Sequence, residues 1–184
     1  MRLRTQLGTL TLAMAAMTWG SPASGQVRNS AASQIALRAV LPESLTVQLS
    51  GNAVNFNLVA GSTNNAGSTS ITATTTWVLS RRIPLVALYA FFGSASAALT
   101  DGAGDKIPSA DFEISDNGGA LTALTRTTPF GGANAGLRLS LTPILGKRNG
   151  SRTDLMQFNI DLRPLPNLPA GAYTGTLTIQ AQAF

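Results

Sequence analysis

The sequence contains neither cysteine nor histidine. Without cysteine, the chain has no disulfide and no lipobox cysteine to carry a lipid anchor, so we expect a packed core to hold the domain together. Without histidine, it lacks the commonest general base and the commonest ligand for transition metals. Any enzymatic chemistry would therefore depend on carboxylates.

Charged residues are also scarce, at 11% of the chain. The formal net charge is +5, and Arg2 and Arg4 near the N-terminus contribute two of these charges. The remaining basic clusters are Arg81-Arg82 and Lys147-Arg148, and neither is interleaved with aromatic residues. We therefore expect no binding to nucleic acid.

Long apolar runs are limited to two. The first, from Leu7 to Trp19, follows the basic start Met1–Arg4 and precedes the small residues Ala23-Ser24-Gly25. This order predicts a secretory signal peptide over residues 1–25 and a secreted protein. The second run, from Ile83 to Leu99, is at the lower limit of membrane-spanning length.

Within that second run, Gly93-Ser94 is a turn signal. The run therefore predicts a strand from Pro84 to Phe92, buried on both faces and followed by a loop, and no stable membrane span.

The rest of the chain alternates apolar and polar residues in short runs between turns, which is typical of β-strands. This pattern predicts an all-β protein: an antiparallel, immunoglobulin-like β-sandwich over residues 42–184, preceded by an extension over residues 26–41. It places a hairpin at residues 45–49 and 54–58, and a polar loop from Gly146 to Thr153. The predicted strands are residues 35–40, 45–49, 54–58, 71–79, 84–92, 112–114, 137–141, 155–162 and 173–184.

Carboxylates are the candidates for catalysis, because paired acids can hydrolyse glycosides without histidine. Asp101, Asp105, Asp111 and Asp116 are the acids considered for such a pair. Nearly all acids of this chain lie in or beside Gly, Asn and Ser turns, where aspartate is favoured for its geometry. We therefore expect no enzyme activity.

Two kinds of binding site were also considered. The loop from Asp101 to Asp105 has two carboxylates separated by glycines, but this is only part of a cation ligand set, so we expect neither metal nor cofactor. Sugar binding would need an exposed aromatic platform, and Tyr89, Phe91 and Phe92 are the only candidates. Trp77 and the other aromatics considered occupy inward positions of apolar runs.

The C-terminal run carries a resemblance to a known family. After a turn at Pro169–Gly171, polar residues alternate with Tyr173, Gly175, Leu177, Ile179 and Ala181. This Gly-x-Tyr-x-Gly-x-Leu-x-Ile-x-Ala ending resembles the C-terminal strand of bacterial pilus and spore-coat-U-like subunits assembled by the chaperone–usher route.

The resemblance implies a non-enzymatic structural subunit of a surface fibre, exported through the periplasm to the cell surface. Its sandwich would be incomplete and completed by donor-strand exchange. The partners would be copies of itself or related subunits, a periplasmic chaperone and an outer-membrane usher. Ile35, Leu37 and Ala39 would form the donor strand. The acceptor edge would consist of Tyr173, Gly175, Leu177, Ile179 and Ala181.

The residues themselves leave alternatives open. Residues 35–40 could equally be a first strand that pairs within its own domain. The protein could then be a self-contained secreted β-sandwich that binds a glycan or a cell-envelope component. Tyr173 could also serve as a corner tyrosine, with its hydroxyl bonded to nearby backbone.

Overall fold

The computed structural model describes residues 30–146 and 148–184, and the predicted signal peptide lies outside this range. The chain divides into two units between Ala39 and Val40. The described residues contain one short 3-10 turn, Ser109–Asp111, and no other helix. Their strands are β1 Ser44–Leu49, β2 Asn65–Ala66, β3 Ile71–Val78, β4 Leu85–Phe91, β5 Leu99–Thr100, β6 Lys106–Ile107, β7 Phe112–Asp116, β8 Thr122–Ala123, β9 Gly136–Pro143, β10 Asn149–Ile160 and β11 Thr178–Ala183.

The strands form two main antiparallel sheets. The first has the order β1-β3-β10-β7-β8, with the short β2 also paired to β10. The second has the order β11-β4-β9, and β5 and β6 form a small separate hairpin. The prediction of an all-β, antiparallel protein is therefore confirmed.

The inner faces of the two sheets share one core, as in a β-sandwich. Ile71 and Met156 of the first sheet belong to the same buried cluster as Leu88 and Leu137 of the second. Strand β4 is buried on both faces, as predicted, because Phe130 covers its outer aromatic side chains. The apolar run after Ile83 is thus a central strand of the fold.

A second, smaller cluster fills one end of the sandwich, which we call the closed end. Trp77, Val86 and Ile144 are buried there, and Leu45 of β1 and Ala183 of β11 pack against them. At the opposite end, which we call the open end, β10 finishes at Ile160 beside β7.

A buried carboxylate lies between the two clusters. Asp154 of β10 is fully buried and accepts hydrogen bonds from Arg152 Nε at 2.7 Å and from Ser140 Oγ at 3.0 Å. Since Ser140 belongs to the second sheet, this group joins the two sheets across the core. Asn117 Nδ2 donates a third bond, at 2.9 Å, so the buried charge is well solvated by the protein.

The predicted hairpin at residues 45–49 and 54–58 is wrong. Strand β1 pairs with β3 over its whole length, with Leu45 opposite Trp77. The threonine-rich β3 occupies the place that the hairpin partner would take. Residues 53–60 form no strand, and Phe56 makes only an isolated bridge to Gly67.

Three predicted boundaries also differ. The polar residues 149–153, expected in a loop, begin β10, because Gly150 lets the chain pass against Trp77: a Cβ there would lie 3.0 Å from the indole. The last strand starts at Thr178 and not at Tyr173, since Thr174 pairs with Thr100 of β5 instead. The run at residues 35–40 is not a strand, as residues 30–43 contain none.

Candidate interaction groove

A groove of about 930 Å³ opens on the main core. Its floor is made of core side chains, and two extended segments that are not strands form its sides. We call residues 51–58, which follow β1, the first wall, and residues 168–177, which precede β11, the second wall. The floor side chains include Phe92, Phe112, Met156, Phe158 and Ile160.

The first wall is attached through hydrogen bonds to Ser68 and through an aromatic contact. Ser68 N donates to Asn55 O at 2.8 Å, and Asn55 N donates to Ser68 Oγ at 3.1 Å. Phe56 meets Phe112 edge to face, with ring centroids 5.7 Å apart. The apolar side chains of this wall are only half-buried, because they border the groove.

The second wall is fixed by the β5 strand and by its own tyrosine. Thr174 exchanges two backbone hydrogen bonds with Thr100, both 2.9 Å long. Tyr173 donates from its hydroxyl to Pro169 O at 2.9 Å, which is the corner-tyrosine bond considered from the sequence. At Gly175 the chain passes so close to Ala98 that a Cβ would overlap the Ala98 carbonyl oxygen.

The strands nearest the groove are both edge strands. β11 pairs only with β4, and β1 pairs only with β3, so neither has a second strand partner in the described residues. An unpaired edge presents backbone N–H and C=O groups that can accept an added strand. Side chains of Leu49 and Ile179, from these two strands, line the groove between them.

Four of the five predicted acceptor residues share this one site. Tyr173, Gly175, Leu177 and Ile179 line the groove, while Ala181 lies farther along β11, opposite Leu88 of β4. The first wall was not predicted from the sequence, because residues 54–58 have the alternation of a strand. An alternation with Asn55 and Asn57 at its polar positions fits the wall of a groove as well as it fits a strand.

The predicted donor residues lie in the other unit of the chain. Residues 30–39 have no helix or strand, and all their side chains are exposed. Ile35 is 85% exposed and Leu37 is 92% exposed, which is unusual for large aliphatic side chains. The segment thus presents alternating apolar side chains without burying them.

The loop considered for metal binding is stabilised by its own backbone. Asp101 Oδ1 accepts N–H bonds from Ala103, Gly104 and Asp105 at 2.8–3.1 Å. These bonds, led by the one from Ala103, lower the pKa of Asp101. The described residues contain no group of three or more acidic side chains placed to hold a metal ion.

The acids considered for catalysis are placed on separate elements. Asp101 and Asp105 flank the β5–β6 turn, Asp111 ends the 3-10 turn and Asp116 ends β7. Burial, and then the nearby Asp161, raise the pKa of Asp111. Burial, and then Asp154, raise the pKa of Asp116. The two raised pKa values thus come from burial and from neighbouring acids. None of the four acids lines the groove.

The aromatic side chains considered for sugar binding are buried. Tyr89, Phe91 and Phe92 are each exposed by 9% or less. Phe130 packs on Tyr89 and Phe91, with ring centroids 5.9 and 5.8 Å away. Trp77 is 4% exposed, in agreement with its predicted place in the core.

No helix in the described part of the chain is long and apolar enough to cross a membrane. Comparisons with models of protein families, with curated proteins and with solved structures find no match to this chain. The groove and its surroundings are therefore the basis for a functional assignment.

Proposed function

We propose that this protein is a non-enzymatic structural subunit of a bacterial surface fibre, assembled by strand addition between copies. The observation that carries the proposal is the groove, which has a core floor and lies between two edge strands. A strand laid in it would complete the backbone bonds of an edge and cover the half-buried walls.

The exposed segment at residues 30–39 supplies a strand of suitable chemistry. In an extended chain Ile35, Leu37 and Ala39 point to one side, which is the periodicity that a groove requires. Fully burying an aliphatic side chain stabilises an assembly by about 1.5–3 kcal/mol. Two large side chains together would then contribute about 3–6 kcal/mol before the loss of chain entropy is counted.

Export and assembly follow from the same proposal. The predicted signal peptide would send the chain to the periplasm. There, a chaperone would occupy the groove until an outer-membrane usher brings in the next subunit. These partners are the ones that the family resemblance implies.

The test replaces the apolar side of the segment. We expect Ile35→Asp/Leu37→Asp to abolish polymers of the purified protein, measured by light scattering and electron microscopy. The matched control, Gln34→Asp/Ala36→Asp, adds the same charge to the opposite side and should still polymerise. An added peptide of residues 27–41 should block polymerisation of the unaltered chain.

Polymers of normal length from Ile35→Asp/Leu37→Asp would contradict the proposal. A monomer of the unaltered chain that melts cooperatively and reversibly would instead favour the self-contained β-sandwich. The aromatic side chains considered for glycan binding, Tyr89, Phe91 and Phe92, are buried, so this alternative has less support.

A further inference from the structure

Two carboxylates, those of Asp101 and Asp105, lie beside the second wall of the groove. A Cβ placed on Gly171 would lie 3.7 Å from Asp101 Cβ and 4.0 Å from Asp101 Oδ2, so this carboxylate lies next to a residue of the second wall. Burial raises the pKa of Tyr173, and the charges of Asp105 and then Asp101 raise it further. Asp105 also lines a small cavity together with Leu168 and Pro169 of the second wall, so both carboxylates lie close to this wall.

These two carboxylates have capacity for a cation. Asp101 uses Oδ1 for its three backbone bonds, and its Oδ2 accepts no hydrogen bond from a described residue. Asp105 has no ion pair in the described part of the chain, where the salt bridges are Arg152–Asp154 and Arg163–Asp161. Lys106 is the neighbouring cation, and it pairs with neither acid.

The proposed donor segment carries one matching charge. Arg38 is the only charged residue from residue 30 to residue 41, and it is exposed. In an extended strand it points away from Leu37 and Ala39. When those two face the groove floor, Arg38 faces away from it, and its long side chain is free to pair with a carboxylate beside the second wall.

The two ends of the sandwich also differ in charge. Arg148 Nη1 donates to Ile83 O at 2.8 Å at the closed end, which brings Arg148 next to the exposed Arg81 and Arg82. Glu43 is the one acid in that group, and it accepts from Ser80 N. We call Asp101 and Asp105, which lie beside the second wall, the acidic rim. A second copy whose basic end approaches the acidic rim meets opposite charge.

We infer that the groove recognises a second copy of this chain by charge as well as by shape, through an ion pair between Arg38 of the incoming copy and Asp101 and Asp105 of the receiving copy. The inference rests on the proposed function. The apolar side chains supply the contact area, and the ion pair fixes which residue of the strand faces which part of the groove. A strand shifted by two residues would keep its apolar side inward but lose the pair.

The experiment measures binding of labelled peptides, by fluorescence anisotropy, to the full chain carrying Ile35→Asp/Leu37→Asp, whose own segment cannot compete. The peptides span residues 30–43. At low salt we expect Arg38→Glu to weaken binding about tenfold, because attraction to two carboxylates becomes repulsion. Higher salt should shrink this difference, since the charges lie at the surface.

Two controls separate a specific pair from general attraction. The peptide Ala36→Arg/Arg38→Ala has the same composition and net charge, with the cation moved by one repeat of the strand, and should bind about threefold more weakly. The receiving variant Asp105→Lys should restore binding of the Arg38→Glu peptide. Asp101 is left in place because its Oδ1 holds the loop together.

Equal affinity of the original and the moved-charge peptide would overturn the ion pair while leaving strand addition intact. Failure of Asp105→Lys to restore the Arg38→Glu peptide would do the same. If the original peptide does not bind at all, both this inference and the proposed function are wrong.

Discussion

The closed and open ends of the sandwich are built from the same strands but are packed differently. At the closed end, Leu45 of β1 and Ala183 of β11 pack against Trp77. At the open end, the edge strands are separated by a groove of about 930 Å³. One end completes its core with its own side chains, whereas the other leaves space for an added chain.

The difference shows where an added strand would gain free energy. The floor side chains are already nearly buried, for example Met156 at 0% and Ile160 at 0% exposed. The walls and edges are not, and Leu49 remains 40% exposed. Binding would therefore stabilise the assembly mainly by burying wall and edge side chains and by pairing backbone groups, not by covering an exposed core.

The largest expected effect is at the closed end. We expect Trp77→Ala to lower the free energy of unfolding by about 3–5 kcal/mol, because the substitution removes a buried indole and leaves a cavity in its place. Urea denaturation of the purified protein measures this. Leu155→Ala, at a position 41% exposed, is the control and should change stability by about 1 kcal/mol or less. If Trp77→Ala behaves like the control, the closed end is not a packed core.

The sequence predicts the elements whose burial shows in their own residues, but not the elements whose pairing depends on distant parts of the chain. β3 was predicted from its alternating pattern and β4 from its continuous apolar run, because each pattern reflects the burial of that strand's own side chains. The partner of β1 could not be predicted, because the choice between residues 54–58 and β3 depends on contacts across the whole domain. Period-two alternation fits a strand and a groove wall equally well.

The candidate site was predictable in the same partial way. The alternating positions Tyr173 to Ile179 pointed to the second wall, since they carry their own pattern. The first wall and the acidic rim were not predictable, because Asp101 meets Gly171 only after the chain has folded back on itself. Near Gly175 the C-terminal segment changes its pairing partner from β5 to β4, and this change also depends on a segment that is distant in sequence, β5.

Gly175 lies between the part of the second wall that pairs with β5 and the strand β11 that pairs with β4. Gly175→Ala places a Cβ against the Ala98 carbonyl oxygen and 3.2 Å from Leu99 Cα, so backbone must move on both sides. We expect a loss of about 3 kcal/mol in the free energy of unfolding, at the upper end for overpacking. Gly93→Ala is the control, because its Cβ would meet nothing within 4 Å. Equal stability of the two variants would show that the second wall is not held against β5.

The smallest effect concerns a buried acid near the end of β10. Asp111 is 7% exposed, its Oδ2 has no hydrogen-bond partner, and its pKa is raised by burial and by Asp161. A raised pKa means that the ionised form is disfavoured in the folded state. This penalty is present above the folded pKa and disappears as the pH falls towards the ordinary value of 3.8. Asp111→Asn should therefore be more stable at neutral pH by about 0.5 kcal/mol or less.

Asp161→Asn is the contrasting variant, because Arg163 lowers the pKa of Asp161. The stability that this acid contributes is present above pH 3.8 and is lost as the pH falls through its lower folded pKa. Unfolding free energies measured between pH 3 and pH 7 should thus change with opposite sign in the two variants, and a common sign would contradict the assignment.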